Sequence, residues 1–317
     1  MKNMKETLLI ALGGNALIKK GQRGSIEEQF ENLRAPIQEI ARLSKEYKII
    51  ITHGNGPQVG NLLLQQEKCP EVPIMPLEIL VAQTQGQIGY MIESSLDNEF
   101  MKMGADTKQL FVTVLTYVVV DIDDPAFKNP SKPIGPYFSL EEAEQLPYPT
   151  VETADGYRRV VASPKPVTIV EKREIKRLLQ QGFLVIACGG GGIPVIREGR
   201  GFEGVDAVID KDLASAKLAQ EVGVDIFLIA TDTEGVAINF KRPGQRFFRS
   251  LPVEEAKRYL YEGQFPEGSM GPKIEATIEF LESGGKRAFI TSTETIERSV
   301  RGKAGTEIIR YSDTYHR

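Results

Sequence analysis

The sequence predicts an α/β protein: a mostly parallel sheet covered by helices on both faces, with a lid inserted after the carboxyl end of one strand. Three observations predict it. Short apolar runs alternate with helix-length amphipathic segments, the β-α-β-α pattern of a parallel sheet. The runs are rich in Ile, Val and Leu and show little polar alternation, as strands buried on both faces do. Several runs end in glycine clusters, and ligands of such sheets bind beyond the carboxyl ends of the strands.

The runs are residues 8–12, 49–52, 110–120, 183–187, 226–230 and 288–291, and each is expected to be a strand. The chain of 317 residues is long enough for one large α/β domain or two lobes sharing a sheet. Residues 121–166 break the rhythm. They hold eight of the 18 prolines and no long helical period, and a loop this long is usually functional. They follow a strand's carboxyl end, so the segment is read as a lid rather than a decorative insertion.

Composition excludes several classes. Hydrophobic residues make up 41% and charged residues 26%, which is neither disordered nor fibrous. A net charge of −4 argues against nucleic-acid binding by bulk charge, though local basic clusters could still hold phosphate. Only two cysteines, Cys69 and Cys188, and two histidines are present, with no Cys-x-x-Cys pair. Neither a zinc site nor a disulfide framework is expected, and a reducing cytoplasm fits. Cys188 ends an apolar run and reads as a small buried hydrophobe. No signal peptide and no membrane span are expected, because no apolar run has the necessary length.

Two loops have the chemistry of anion sites. Gly13-Gly14-Asn15 and Gly54-Asn55-Gly56-Pro57 each join a strand to a helix. Glycine lets backbone N–H groups approach an anion, and the start of the next helix favours negative charge. Pro57 suits a first helical turn. Neither a Walker A loop nor a dinucleotide-binding G-x-G-x-x-G follows a strand, so P-loop and Rossmann readings find no support.

Two lysines stand at unusual places. Asp210 reads as the N-cap of a helix whose buried face carries Ala214, Leu218 and Val222. Lys211 follows it, where a cation is disfavoured by about 0.3–1 kcal/mol. It needs an anionic partner, either Asp212 or a ligand phosphate. Ser269 reads as the cap of a second helix, with Met270, Ile274, Ile278 and Leu281 on its apolar stripe and Lys273 off it. Two lysines in two first turns suggest a converging site for a polyphosphate. His53 beside a glycine loop is read as structural or positioning rather than as a base. Residues 121–124, Asp-Ile-Asp-Asp, read as a solvated turn. The pair Arg158-Arg159 reads equally as an anion contact or an exposed pair.

With these residues in view, the chain resembles the carbamate kinases of the amino acid kinase superfamily. The resemblance is carried by residues 10–16, Thr52-His53-Gly54-Asn55-Gly56-Pro57-Gln58-Val59-Gly60, 124–127, 129–136, 189–194, Gly204 through Asp212, 268–273 and 302–306, and it spans nearly the whole chain. The sequence differs from the family pattern at Val81-Ala82-Gln83-Thr84-Gln85-Gly86 and at Asp155-Gly156-Tyr157-Arg158, and its tail beyond Arg310 is a few residues longer.

The resemblance implies a three-layer α/β/α sandwich with a protruding lid subdomain. Residues 1–200 would form a lobe for carbamate or carbamoyl phosphate, with the lid at about 121–166. Residues 201–317 would form the lobe for ATP or ADP. It implies reversible phosphoryl transfer between ATP and carbamate, Mg2+ carried with the nucleotide, no metal ligands from the protein, and a homodimer. Lys132, Lys211, Asp212 and Lys273 are expected to be catalytic. Gly13, Gly14, Asn15, Gly54, Asn55 and Gly56 are expected to hold the acid and the transferred group. Gly190, Gly191, Lys211, Thr231, Asp232, Met270 and Lys273 are expected to border the nucleotide. Two alternatives stand beside this reading: an amino acid kinase for a different small carboxylate, and a catalytically silent nucleotide-binding protein.

Overall fold

A computed structural model describes residues 5–310 apart from Pro70, residues 105–108, Ala154, Glu267 and the side chain of Asn15. His316 and the rest of the tail lie outside the described residues. Along the chain, β1 (Thr7–Leu12), α1 (Ile26–Leu43), β2 (Lys48–His53), α2 (Gly56–Glu67), α3 (Leu77–Lys102), β3 (Phe111–Thr113) and β4 (Tyr117–Val119) come first. The lid follows with β5 (Lys132–Phe138), α4 (Leu140–Ala143), β6 (Thr150–Thr153) and β7 (Gly156–Val161). Then come β8 (Thr168–Ile169), α5 (Lys172–Gln180), β9 (Leu184–Ile186), β10 (Ile193–Glu198) and β11 (Gly201–Gly204). The last third runs α6 (Lys211–Val222), β12 (Ile226–Thr231), β13 (Ala237–Ile238), β14 (Arg246–Phe247), β15 (Ser250–Pro252), α7 (Val253–Tyr261), α8 (Met270–Glu282), β16 (Arg287–Ser292), α9 (Ile296–Val300) and β17 (Thr306–Ile309).

Eight strands form the main sheet in the order β15-β17-β16-β12-β1-β2-β9-β3. Neighbours pair in parallel except β16 with β17. The first part of the chain supplies β3, β9, β2 and β1, and the last part supplies β12, β16, β17 and β15. Alternate residues of each strand enter opposite cores. Leu9, Ala11, Ile50, Phe227 and Ile229 pack with α5, α6, α7 and α8. Leu8, Ile10, Leu12, Ile51 and Leu228 pack with α1, α3 and α9. That double coverage is why these strands read as continuous apolar runs, and it makes the three-layer sandwich.

The run 110–120 is not one strand. It contributes β3 to the main sheet and β4 to a second, four-stranded sheet ordered β11-β10-β4-β8. Gln85 makes the break. Its side-chain carbonyl accepts from Thr116 N at 2.9 Å and its amide donates to Thr116 O at 3.2 Å.

The lid is an antiparallel sheet ordered β5-β7-β6, and β5 lies along α2. Gly60 of α2 has no room for a side chain, because a Cβ there would overlap the backbone of Gly135. Gly135 itself has φ +72°, a left-handed conformation that glycine adopts freely. Beside it, Ile134 is fully buried with Val59, Leu63 and Val208. Arg158 donates to Gly135 O through Nε at 3.1 Å and Nη2 at 2.8 Å, and Arg159 pairs with Glu67 of α2 at 2.5 Å. Neither arginine is an exposed pair awaiting an anion; Arg159 clamps the lid to α2, and Arg158 braces the lid glycine that meets it. Among the described residues no helix is long and apolar enough to cross a membrane.

Candidate active site

Register brings the site together. Leu12, at the end of β1, lies opposite His53 of β2 and Ala230 of β12. The next residues, Gly13, Gly54 and Thr231, therefore lie side by side at the carboxyl edge of the sheet, Thr231 as the last residue of β12. A side chain on Gly13 would sit 2.9 Å from the Ala230 carbonyl oxygen. One on Gly54 would sit 3.4 Å from the Lys211 stem and 3.5 Å from Gly14 N. The two glycine loops and Lys211 thus border one space.

Two of the loop N–H groups extend the sheet's hydrogen-bond ladder instead of facing that space. Gly13 N donates to Ala230 O at 2.8 Å and Gly54 N to Leu12 O at 3.1 Å. The N–H groups that open the 3-10 turn Gly14–Ala16 and helix α2, which has Pro57 in its first turn, are the ones that match the expected anion site. Asn55 is buried and donates to Thr84 Oγ1 at 2.9 Å. Thr84, Gln85 and Thr116 brace this side of the site. Thr84 and Gln85 fall in the segment 81–86 where the sequence departs from the family pattern, whereas Thr116, between β3 and β4, carried no signal of its own.

Charge concentrates at the start of α6. Asp210 caps the helix, its Oδ1 accepting from Asp212 N at 2.8 Å and Leu213 N at 3.4 Å. Its Oδ2 lies 2.5 Å from Lys132 Nζ of the lid. Asp212 holds Lys211 through one oxygen and Lys273 of α8 through the other, the latter at 3.2 Å. Lys273 also donates to Ser269 O at 3.1 Å. Three ammoniums and two carboxylates thus interlock, a net formal charge of +1.

Lys211 and Asp212 are buried, Asp210 and Lys273 are nearly so, and Lys132 is half-buried. Burial alone would raise both carboxyls, but the lysines outweigh it: Lys132 first for Asp210, and Lys211 first for Asp212. Both carboxyls are held below the usual range. Burial lowers the Lys211 ammonium, against the pull of Asp212. Burial also works against Lys273, but Asp212, Asp210 and Asp232 outweigh it and raise its pKa. Ser215, one turn into α6, donates to Lys211 O at 2.5 Å and meets Thr52 Oγ1 of β2 at 2.6 Å, which fixes the helix start against the sheet.

The expected catalytic set, Lys132, Lys211, Asp212 and Lys273, comes together. So does the other end of the strand row: Thr231 is buried at the end of β12, its hydroxyl bonded to Asp232 at 3.1 Å, and the Asp232 charge acts on Lys273. Met270 opens α8 and packs on the core. Three expectations change. Ser269 makes no side-chain cap; its carbonyl receives Lys273 instead. Asp210 is more than a cap, because it also grips Lys132. Gly190 and Gly191 follow β9, which β1 and β2 separate from β12, and Gly191 meets Ile209 just before α6. A Cβ on Gly189 would overlap His53, one on Gly190 would overlap Asn55, and one on Gly191 would overlap Ile209 O. That glycine run lines the side of the site where the acid loops are.

His53 is buried, its Nδ1 3.1 Å from Gly54 O. Burial pushes its pKa down to about 4, helped by Lys211, so at neutral pH it is an uncharged packing partner. Cys188 is buried and burial pushes its thiol far up, as a small hydrophobe requires. The 121–124 segment turns on itself: Asp121 accepts from Asp123 N at 3.0 Å, and Asp124 caps Ala126 N at 2.8 Å. Among the described residues no group of three or more His, Cys, Asp and Glu side chains is placed to hold a metal ion.

Comparison with known proteins gives the same answer. The model of the amino acid kinase family matches residues 6–292. The carbamate kinase of Thermococcus kodakarensis is 48% identical over 313 residues, covering 96% of this chain and 99% of its own. The carbamate kinase-like protein YahI of Escherichia coli is 46% identical, covering 97% and 100%. Among solved structures, carbamate kinase from Giardia lamblia bound to AMP-PNP superposes with a TM-score of 0.88 at 40% identity, covering 96% of this chain and 99% of that one.

Proposed function

The chain belongs to the amino acid kinase family, among its carbamate kinases, and on that premise we infer how its residues move a phosphoryl group between ATP and carbamate. It is a phosphotransferase with carbamate or carbamoyl phosphate and ATP or ADP as its substrates. The observation that carries the reading of the site is the cluster of Lys132, Lys211 and Lys273 beside two glycine loops that leave adjacent strands.

Phosphoryl transfer is mainly positioning and charge stabilisation. In the ATP-forming direction a β-phosphate oxygen of ADP attacks the phosphorus of carbamoyl phosphate. The new P–O bond forms as the bond to the carbamoyl oxygen breaks, and carbamate leaves as an oxyanion. No proton moves, so no base is needed, which agrees with a neutral, buried His53. Lys211 and Lys273 stabilise the charge on the phosphoryl oxygens, and Asp212 holds both ammoniums apart at the right spacing. Lys132 brings the third cation from the lid.

The starts of α2 and of the 3-10 turn, with Gly14, Asn15, Asn55 and Gly56, receive the acid and the transferred group. Gly190 and Gly191 wall that same side. Thr231, Asp232, Met270 and Lys273 border the nucleotide. Mg2+ arrives as part of the nucleotide substrate. Both buried carboxylates of the site are tied to lysines. The division at about residue 200 fits the way the two parts of the chain supply the two halves of the main sheet.

The partner is a second copy of the chain, seated on the exposed face of α3 and the edge strand β3. Tyr90, Met101, Leu110 and Leu115 are exposed apolar side chains on this side. Gly89 packs α3 directly over Thr113 of that edge. A reducing cytoplasm suits the two free cysteines.

A panel of acyl phosphates tests the substrate. Purified protein with ADP and Mg2+ is given carbamoyl, acetyl or acetylglutamyl phosphate. ATP from carbamoyl phosphate alone supports the reading; ATP only from another donor replaces the acid while keeping the fold.

A further inference from the structure

We propose that Asp210 is a positioning residue for Lys132: beyond capping α6, it aims the lid cation at the phosphoryl group. The proposal rests on the kinase reading above and concerns a residue whose side chain that reading leaves without a catalytic part.

A helix cap needs one acceptor oxygen and no charge; Asn and Ser serve as well as Asp. Asp210 uses Oδ1 for the cap, on Asp212 N and Leu213 N. The second oxygen is committed to Lys132 at 2.5 Å. The carboxylate is therefore fixed at both ends, one in the helix and one in the lid. An ion pair withdrawn from water is a weak source of stability, because desolvation of both charges offsets their attraction. Its more specific effect is geometric.

The backbone nearby supports this. Val208 N donates to Ala162 O at 2.9 Å, and Ser131 N donates to Val161 O at 3.2 Å. Lys132 pairs with Val161 across the lid sheet. The base of the lid is thus bonded to Val208, two residues before Asp210, and Lys132 emerges there with its ammonium over the first turn of α6. An ammonium has three donors. Asp210 takes one, which leaves two for phosphoryl oxygens. Without the carboxylate, nothing in this arrangement holds a four-carbon stem in one direction as the lid closes. The neighbours Lys211 and Lys273 would repel the Lys132 ammonium, since their own carboxylate is Asp212.

The experiment is a double-mutant cycle in the full chain, with Asp210→Asn, Lys132→Ala and both together. Steady-state ATP formation is measured with whichever acyl phosphate the unsubstituted protein uses. Asp210→Asn keeps the cap oxygen but removes the carboxylate that faces Lys132, so its melting temperature should fall, and kcat is compared at a temperature where both proteins are folded. Its kcat should fall about 10–100-fold, the usual result of a reacting group misplaced by an ångström or less, with KM little changed. In the Lys132→Ala background the same substitution should cost nothing further in kcat. A parental kcat in Asp210→Asn, or losses in kcat that multiply in the double variant, would overturn the proposal. The donor used by the parent protein judges the carbamate reading separately.

Discussion

Lys273 of α8 lies 3.2 Å from Oδ2 of Asp212, whose other oxygen holds Lys211 of the same helix as itself. One carboxylate therefore sets the spacing of two cations from two helices. Lys211→Ala should slow turnover about 10²–10³-fold, as loss of a preorganised charge donor does, while ADP binding changes far less. A folded Lys211→Ala protein with parental kcat contradicts the assignment. Asp212→Asn should cost more in stability, about 3–5 kcal/mol, the usual loss when one partner of a buried pair is removed. Urea unfolding of the variant beside the parent measures it.

The lid depends on two glycines. Gly60→Ala places a methyl into the Gly135 backbone, so the lid must lift or α2 must shift. Overpacking of this kind costs about 1–3 kcal/mol. The expected readouts are a lower melting temperature, faster protease cleavage within residues 139–157, and a lower kcat because Lys132 moves with β5. A variant with parental melting temperature, cleavage and kcat would mean the lid does not rest on this contact.

His53 makes a pH prediction. Its folded pKa of about 4 lies below its ordinary value of 6.5, mainly because it is buried. Above pH 6.5 it is neutral in both states and its contribution to stability is complete. As pH falls from 6.5 to 4 the unfolded chain takes up a proton that the folded chain refuses, so stability is lost, by about 3 kcal/mol in all. Chemical denaturation at pH 7 and pH 4.5 should show a steeper loss for the parent than for His53→Asn. Equal losses would show that His53 is not held neutral. The kcat profile should show no step from this group above pH 5.

Gly190 distinguishes the two ends of the site. A methyl there overlaps Asn55, not the nucleotide strands. Gly190→Ala should raise KM for carbamoyl phosphate while leaving KM for ADP near that of the parent. The reverse pattern would return the 189–192 loop to the nucleotide.

Much of this was legible in the sequence, and the exceptions share a cause. Strands with two buried faces announce themselves as apolar runs, and β1, β2, β9, β12 and β16 stand where the runs lie. Lys211 was conspicuous because a cation at a helix start is locally unfavourable, and the structure supplies the reason in Asp212. What was hidden depends on register and on distant pairing. The break at Thr116 is made by Gln85, 31 residues away, and no local pattern marks it. Asp210 looked like a cap because capping is local; its bond to Lys132 joins residues 78 apart. The Gly189–Gly191 turn resembled the other glycine loops, but the strand order carries it past β2, and sequence order does not disclose strand order. Arg158 and Arg159 were ambiguous because the carbonyl and the carboxylate that hold them come from β5 and α2.

The central claim is that this cluster of lysines transfers the phosphoryl group of carbamoyl phosphate to ADP. The most direct measurement is ATP formation from carbamoyl phosphate, ADP and Mg2+ by the parent protein and by Lys211→Ala. The account predicts rapid ATP from the parent, and a rate about 10²–10³-fold lower from the variant. No ATP from a folded parent that binds ADP, or equal rates from the two proteins, would contradict it.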